Sequence, residues 1–196
     1  MKKVIQGKKL EEKMLEAIHL LCDTTAVTLG PSGVNVLVDT KDEPPFITND
    51  GVTIAKSIES EDSAVNAILE IAKEASLKTN ELVGDGTTTT LVLLKEFYLL
   101  GLTLLKMGQN SQMIQKEWLK VLNNIIVEIK KYSHLPTEKE LQNIASISAN
   151  DQVLGAIVAE VFNKVKKRSS ICLKESSDER TFYELLHGYT LDTTVS

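Results

Sequence analysis

The sequence predicts a mainly α-helical protein with a small β-sheet, an α+β arrangement in which helices dominate. Several long segments carry apolar residues at three- and four-residue spacing, which is typical of amphipathic helices. One short segment with alternating side chains, placed between turns rich in glycine, proline and acidic residues, is typical of a β-hairpin. With 196 residues, 42% of them hydrophobic, the chain is long enough to bury one core or two.

The N-terminal part of the chain predicts an amphipathic helix followed by a turn and a hairpin. The helical pattern stops at Gly30 and Pro31, which cannot easily continue it. Val34, Val36 and Val38 then alternate with other residues and predict a strand, which Phe46 to Thr48 would pair with. The apolar positions of the helix are Leu10, Met14, Ala17, Ile18 and Leu21.

Three longer helices are predicted next. The first has apolar positions from Val65 to Leu82. The second, Thr87 to about Met107, is apolar on nearly every side, so we expect it to lie centrally. The third, Ser111 to about Tyr132, has one apolar stripe, in which Trp118 is expected to belong to the core. The stripe consists of Ile114, Trp118, Val121, Leu122, Ile125 and Ile129.

A change in composition near Ser133 predicts a domain boundary. Beyond it, Thr137 and Glu140 have the spacing of a capping box at a helix start. Two shorter helices are expected at about 137–147 and 151–167, followed by strand-like pieces at 170–174 and 182–191.

Charge and composition exclude several classes of function. The net charge of −5 argues against nucleic acid as the main partner, because such proteins usually present a basic face. Cys22 and Cys172 are too far apart in sequence for a metal or redox motif, and Cys22 is expected to fill the core. No signal peptide is visible, and the apolar run 91–105 is interrupted by Lys95 and Glu96 and is too short to span a membrane. We therefore expect a cytoplasmic protein without a membrane partner.

The segment Gly84 to Thr90, GDGTTTT, is the strongest candidate for a binding site. The first amides of a helix lack intrahelical acceptors, and the helix dipole adds positive potential there. A glycine turn brings this end close to a phosphate, and threonine hydroxyls add donors where their helix penalty is small. Asp85 would supply an oxygen ligand for magnesium. The segment is not a Walker A loop, because the Gly-Lys-Ser/Thr ending is missing.

A structural interpretation of the same segment stays open at this point. The threonines could belong to a well-capped buried helix, with hydroxyls bonded to the preceding turn or to water. The motif alone does not decide between the two interpretations.

Two further glycine turns favour phosphate binding. In TLGPSG, residues 28–33, Gly30 permits close approach of the backbone and Pro31 makes the corner rigid. In TNDG, residues 48–51, Asp50 places a second carboxylate at a strand end, although an ordinary Asx-turn explains it equally well. Three glycine turns and two acids occur within one helical domain. Phosphate binding explains this combination better than a set of ordinary turns does.

At this point the chain resembles the group I chaperonins, the GroEL family. The motifs TLGPSG, NDGVTIA, IESED, GDGTTT and SISAN occur in the order, and close to the spacing, found in that family. The resemblance covers the whole chain up to HGYTLD, and it is looser between the motifs. It resembles the N-terminal, outward half of a diverged paralogue.

The resemblance implies a domain plan. Residues 1–132 would form an equatorial-like, nucleotide-binding helical domain, and 133–187 an ascending intermediate segment. Residues 188–196 would be a stub that enters an apical domain absent from this sequence. The fold would thus be a chaperonin equatorial-like helical domain with part of an intermediate domain.

The resemblance also assigns roles to residues. Asp85 would hold magnesium, Asp50 would lie near the γ-phosphate and assist hydrolysis, and Ile147 and Ser148 would lie close to the site. The nucleotide and its phosphates would be bound by Thr28, Leu29, Gly30, Pro31, Asn49, Asp85, Gly86, Thr87, Thr88 and Thr89. The implied cofactors are ATP and Mg²⁺, with K⁺ as a further cation.

Three departures from the family pattern limit what is implied. Ser32 and Asn49 stand where the family has lysines, so the charge of a polyphosphate is less well compensated. Thr193 stands where the family usually carries an arginine used between subunits, which suggests altered ring contacts. The family's water-activating aspartate and the second half of its nucleotide site have no counterpart in these 196 residues.

Three functions are therefore considered. The first is a chaperonin-like ATP-binding protein that, when complete, assists protein folding and the stress response through ATP-driven switching of a homo-oligomeric double ring. Unfolded clients and a co-chaperonin would be partners only if an apical domain exists. The second is a non-catalytic interaction or regulatory subunit without ATPase activity. The third is a fragment whose activity lies in the remainder of a longer protein.

Overall fold

The structure, a computed structural model, describes residues 4–39, 44–165, 171–177, 180–186 and 188. This part of the chain is mostly helical with one small sheet, as the sequence predicts. Its helices are α1 (Lys8–Ala26), α2 (Gly51–Ser57), α3 (Ser63–Val83), α4 (Thr87–Lys106), α5 (Ser111–Tyr132), α6 (Glu138–Ala149) and α7 (Gln152–Lys164). Its strands are β1 (Val36–Val38) and β2 (Phe46–Thr48).

The chain divides into two compact units, Met1–Leu122 and Asn123–Ser196. The division falls within α5, ten residues before the boundary that the sequence predicts at residue 132 (132 − 122 = 10). The three-domain plan drawn from the resemblance stays a prediction, and of its last segment, 188–196, only Gly188 is among the described residues.

The core of the first unit is made by α1, α3 and α4. α1 and α3 each contribute a buried stripe, α4 contributes Leu91 and α2 contributes Ala55, and the three long helices pack pairwise on one another. Lys13 of α1 pairs with Asp62 at the start of α3 at 3.1 Å, so α1 and α3 run in the same direction. Glu11 pairs with Lys106, and Asp23 with Lys95, so α1 and α4 run in opposite directions. The buried core residues are Ala17, Ile18, Leu21, Cys22, Ala55, Val65, Leu69, Ala72 and Leu91.

The hairpin and a short helix follow α1. The strands pair antiparallel, with Val36 opposite Thr48 and Val38 opposite Phe46, and only Val38 is buried. Val34 precedes the strand rather than belonging to it. The structure adds α2, a seven-residue helix that begins at Gly51 and that the apolar pattern does not distinguish from the longer helix after it.

The expected central position of α4 is wrong for the described part of the chain. Only Thr87 and Leu91 of α4 are buried, whereas Leu93, Phe97 and Leu100 are about half exposed. An all-round apolar composition shows which side chains favour burial, but α1 and α3 cover only one side of the helix. By length and composition α4 also suits a membrane span, contrary to the expectation that its apolar run is too short. Lys95 lies in its middle and pairs with Asp23 of α1.

The apolar stripe of α5 is likewise not the core that the sequence predicts. Trp118 is partly buried against α4, where its ring lies 5.3 Å from that of Phe97, centroid to centroid. An added Cβ on Gly101 would lie only 3.1 Å from the Trp118 ring, so the glycine permits this close packing. Farther along α5, Val121, Leu122, Ile125 and Ile129 are exposed.

In the second unit, α6 and α7 form a helical hairpin. Thr137 and Glu140 make the capping box that the sequence predicts. Asn150 adopts a left-handed conformation between the helices, and Gly155 lies so close to Ser146 that an added Cβ would be 2.2 Å from its Oγ. The strand predictions beyond α7 are wrong where they can be checked, since residues 171–176 and 182–186 are irregular. Gly188 is also not in a strand, and residues 170, 187 and 189–191 of those two predictions lie outside the described residues.

Candidate functional site

The directions of the three core helices bring their glycine turns to one end of the first unit. Because α1 and α3 are parallel and α4 is antiparallel to α1, the C-terminal ends of α1 and α3 lie beside the N-terminal end of α4. The first glycine turn follows α1 and the GDGTTTT turn joins α3 to α4. The helix order alone therefore places two of the predicted turns close together.

The GDG turn leaves the start of α4 open. Gly84 ends α3 with φ of 79°, and Gly86 precedes α4 with φ of 88°, both in the left-handed region that glycine adopts without strain. No side chain caps the first amides of α4. By contrast, Asp50, Asp62 and Asp151 cap α2, α3 and α7. The amides at the start of α4 are thus available to an acceptor from outside the helix.

The threonine hydroxyls at this helix start are also available. Thr87 is buried, with 5% of its surface exposed, and its Oγ1 is a buried side-chain oxygen without a hydrogen-bond partner within the described part of the chain. Thr88 is partly buried and Thr89 is exposed. Among the hydrogen bonds of residues 4–39 and 44–165, the hydroxyl of Thr90 donates to Oγ1 of Thr79 on α3 at 3.3 Å. A buried hydroxyl is costly without a partner, and an external oxygen acceptor would supply one.

Asp85 lies exposed in the turn between the two glycines. Its Oδ1 accepts a hydrogen bond from the amide of Gly86 at 2.6 Å, which holds the carboxylate beside the helix start. The described residues include no group of three or more His, Cys, Asp and Glu side chains that could hold a metal. A single carboxylate suits Mg²⁺, which is commonly bound by one or two carboxylates together with phosphate oxygens and water.

Asp50 caps α2, as the Asx-turn interpretation predicts. Its Oδ2 accepts from the Thr53 amide at 2.9 Å and from the Thr53 hydroxyl at 2.6 Å, and its Oδ1 lies 3.4 Å from the Val52 amide. Partial burial raises the pKa of Asp50, but these hydrogen bonds outweigh it and hold the pKa below its usual value. Asp50 is therefore a carboxylate at neutral pH, and Oδ1 has only one long contact.

A contact between α2 and α4 joins the second and third turns. An added Cβ on Gly51 would lie 2.1 Å from Oγ1 of Thr88, so the backbone of α2 lies directly against the threonine run. Only glycine permits this distance. The contact places Asp50, the residue before Gly51, beside the open end of α4.

The first turn is a compact loop at the end of α1. The amide of Gly33 donates to Gly30 O at 3.0 Å and that of Val34 to Val27 O at 2.9 Å. Gly30 has φ of 78°, and a Cβ on Gly33 would lie 2.2 Å from the Thr28 carbonyl oxygen. The Thr28 hydroxyl donates to Thr25 O at 2.8 Å, whereas Leu29 and Pro31 are exposed. The loop thus presents mainly backbone toward its surroundings.

Ser32 and Asn49, which stand where the resemblance leads us to expect lysines, are both exposed. Lys56 of α2 is a cation whose charge acts on Asp50. Ile147 and Ser148 lie near the end of α6, in the second unit, and their proximity to the site stays a prediction.

Sequence reasoning did not find Gly51 and Thr53, which shape this site, nor the buried lysine Lys73. Gly51 and Thr53 belong to the NDGVT segment, where a glycine after an N-cap acid signals close backbone approach. Lys73 had a signal as well, since it stands on the buried stripe of α3, four residues after Leu69 and three before Ser76. A lysine in such a stripe indicates a specific partner.

Comparison with known proteins agrees with this architecture. Residues 21–195 match the model of the TCP-1/cpn60 chaperonin family. A crystal structure of the chaperonin gp146 from bacteriophage EL 2 (Pseudomonas aeruginosa), in the presence of ATP-BeFx, is similar with a TM-score of 0.69 and 27% identity over 82% of this chain. A group III chaperonin in the open state has a similar fold, with a TM-score of 0.64 and 23% identity over 79% of this chain.

The chain belongs to the TCP-1/cpn60 chaperonin family. It spans 29% of the length of the phage chaperonin and 32% of that of the group III chaperonin. The group I assignment and the diverged paralogue remain predictions.

Proposed function

We propose that this chain binds magnesium–ATP at the open start of α4 and forms one wall of a chaperonin nucleotide site. The observation that carries the proposal is the buried, unpartnered hydroxyl of Thr87 at a helix start that no side chain caps. The phage chaperonin to which the chain is similar was crystallised in the presence of ATP-BeFx, which supports the same ligand.

Different residues would bind the phosphates and the magnesium ion. Helix amides and the hydroxyls of Thr87, Thr88 and Thr89 would donate to phosphate oxygens, and Asp85 would hold Mg²⁺. The magnesium ion, when bound, neutralises negative charge on the phosphates. Asp50, ionised at neutral pH, would accept a hydrogen bond from water near the terminal phosphate.

The first glycine loop completes this wall. Its backbone, with Thr28, Leu29, Gly30 and Pro31, would contact the nucleotide from the end of α1. Asn49 would donate an amide hydrogen bond where a lysine would supply charge. With Ser32 and Asn49 in place of lysines, charge compensation depends more strongly on magnesium, and K⁺ would be a further cation.

In its complete form the protein would use ATP to switch a homo-oligomeric ring that assists protein folding in the cytoplasm. For the residues that the structure describes at the start of α4, the proposed function is nucleotide binding. Clients and a co-chaperonin belong to the proposal only for a form that carries an apical domain.

A second candidate function is a non-catalytic interaction subunit without ATPase activity. The exposed apolar residues of α5 favour it, because such a face commonly marks a surface that contacts protein. The two functions differ in one property, since only the first requires magnesium-dependent nucleotide binding.

Isothermal titration calorimetry tests the leading proposal. We expect the chain to bind a non-hydrolysable ATP analogue with magnesium, and Asp85→Ala to weaken this binding at least about tenfold because the metal loses its carboxylate. Glu117→Gln is the matched control. This variant also removes one exposed carboxylate. Glu117 is far from the candidate site, because it lies next to Trp118, which contacts Gly101, and Gly101 is about 20 Å from Thr87 along α4.

The absence of heat at millimolar nucleotide, under conditions where the chain is folded, would reject the proposal and favour the interaction subunit. Equal loss in Asp85→Ala and Glu117→Gln would show that charge in general, and not the metal position, governs binding.

A further inference from the structure

Lys73 is a buried lysine whose position the proposed function does not explain. Only 5% of its surface is exposed, and lysine is rarely buried to this extent without a partner. Its Nζ lies 2.9 Å from Oε1 of Glu70, one turn earlier on α3. The Glu70 side chain is 71% exposed, so this pair contributes little to stability.

The second partner of Lys73 is on another helix. Its Nζ donates a hydrogen bond to the backbone carbonyl of Lys56 at 3.3 Å. Lys56 belongs to the last turn of α2, whose carbonyl groups have no intrahelical donor. Lys73 therefore ties the C-terminal end of α2 to the middle of α3.

The other end of α2 carries the candidate site. Asp50 caps it, and Gly51 lies against the Thr88 hydroxyl. A helix of seven residues has little stability of its own, so its position depends on its contacts. Its Ile54 and Ala55 are buried, Lys73 bonds its C-terminal end, and its N-terminal end lies against the threonine run.

We propose that Lys73 is a positioning residue for the nucleotide site, which it supports by holding α2 against the start of α4. The inference rests on the proposed magnesium–ATP binding. Lys73 does not contact the nucleotide; it acts through α2 on Asp50 and Thr88.

The test compares variants of Lys73 and of its exposed partner Glu70. Lys73→Met keeps the length of the side chain and removes the donor, Lys73→Arg keeps a charged donor, and Glu70→Gln removes only the charge of the exposed partner. We expect Lys73→Met to weaken affinity for the magnesium–ATP analogue about tenfold, Lys73→Arg to restore most of it, and Glu70→Gln to stay within about twofold of the unmodified chain.

A control separates positioning from general destabilisation. Val65→Ala removes buried apolar volume from the first turn of α3, two turns before Lys73. It is expected to lower stability without changing affinity at a temperature where the chain is folded. If Lys73→Met does not fold, Lys73→Leu, whose side chain is shorter and also lacks a donor, takes its place in the comparison.

Amide hydrogen exchange, measured in the absence of nucleotide, shows whether α2 is held in place. Lys73→Met, or Lys73→Leu, should increase exchange at the amides of Ile54 to Ser57 while α1 and α3 stay protected. Unchanged exchange there, or unchanged affinity in a folded variant that lacks the donor, overturns the inference. If the unmodified chain binds no nucleotide, the proposed function fails, and the exchange measurement still decides whether Lys73 holds α2.

Discussion

At the scale of single residues, the two cysteines show how burial controls chemistry. Cys22 is fully buried in the core between α1 and its neighbours, whereas Cys172 is exposed. Burial, with a smaller contribution from Asp23, raises the pKa of the Cys22 thiol from 9.0 to about 11. The sequence predicts this burial because Cys22 follows the apolar spacing of α1.

We expect a thiol reagent at pH 8 to modify Cys172 rapidly and Cys22 only on unfolding. The thiol of Cys22 ionises near pH 9 in the unfolded chain and near 11 in the folded one. Its contribution to stability is therefore complete below pH 9 and is lost as the pH rises to 11, by about 2 to 3 kcal/mol.

Urea unfolding of the unmodified chain and of Cys22→Ala between pH 8 and 11 measures this contribution, with Cys172→Ser as the control. A fall in the free energy of unfolding that is equally steep in Cys22→Ala would contradict the buried-thiol account.

At the scale of elements, the contact between α2 and α4 is the feature that a pattern could least foresee. Helical periodicity correctly identifies most of the apolar faces of α1 and α3, although Leu10 and Leu82 are exposed. The turn residues predict the hairpin and the start of α4. The same pattern cannot separate α2 from α3, because Gly51 to Ser57 is too short to show a period. The contact of Gly51 with Thr88 joins residues 37 apart (88 − 51 = 37), so it depends on the directions of three helices.

Gly51→Ala should destabilise the first unit by about 1 to 3 kcal/mol, because the new Cβ would overlap Oγ1 of Thr88. In a Thr88→Ala background the obstacle is gone, and the same change should cost much less. Thr88→Val keeps the bulk and serves as the control background. The double-mutant cycle, measured by urea unfolding, would contradict the close contact if Gly51→Ala cost the same in all three backgrounds.

At the scale of the whole molecule, the sequence identifies which faces are apolar but not what covers them. The all-round apolar pattern of α4 and the stripe of α5 predict core positions, yet Phe97, Leu122 and Ile125 are about half exposed. An apolar face in a sequence shows a preference for burial, and the partner that satisfies it lies elsewhere in the fold or in another chain. The two solved chaperonins to which this chain is similar are about 2.5 to 2.8 times as long as this chain.

In the candidate site, too, some features can be read from the local sequence and others depend on how the helices pack. The glycine turns, Asp85 and the threonines are all visible as local motifs, because each depends on a special backbone conformation or on a helix start. The partners of Lys73 and Gly51 cannot be read from the local sequence, since they depend on packing between helices.

The measurement that tests the central claim most directly is the mapping of amide chemical shifts in the ¹⁵N-labelled chain during titration with magnesium and a non-hydrolysable ATP analogue. We predict saturable shifts at Gly86 to Thr89, at the amides after Asp50 and at Gly30, all of which require magnesium. Shifts confined to α6 and α7, or no saturable change at millimolar nucleotide, would contradict a nucleotide site at the start of α4.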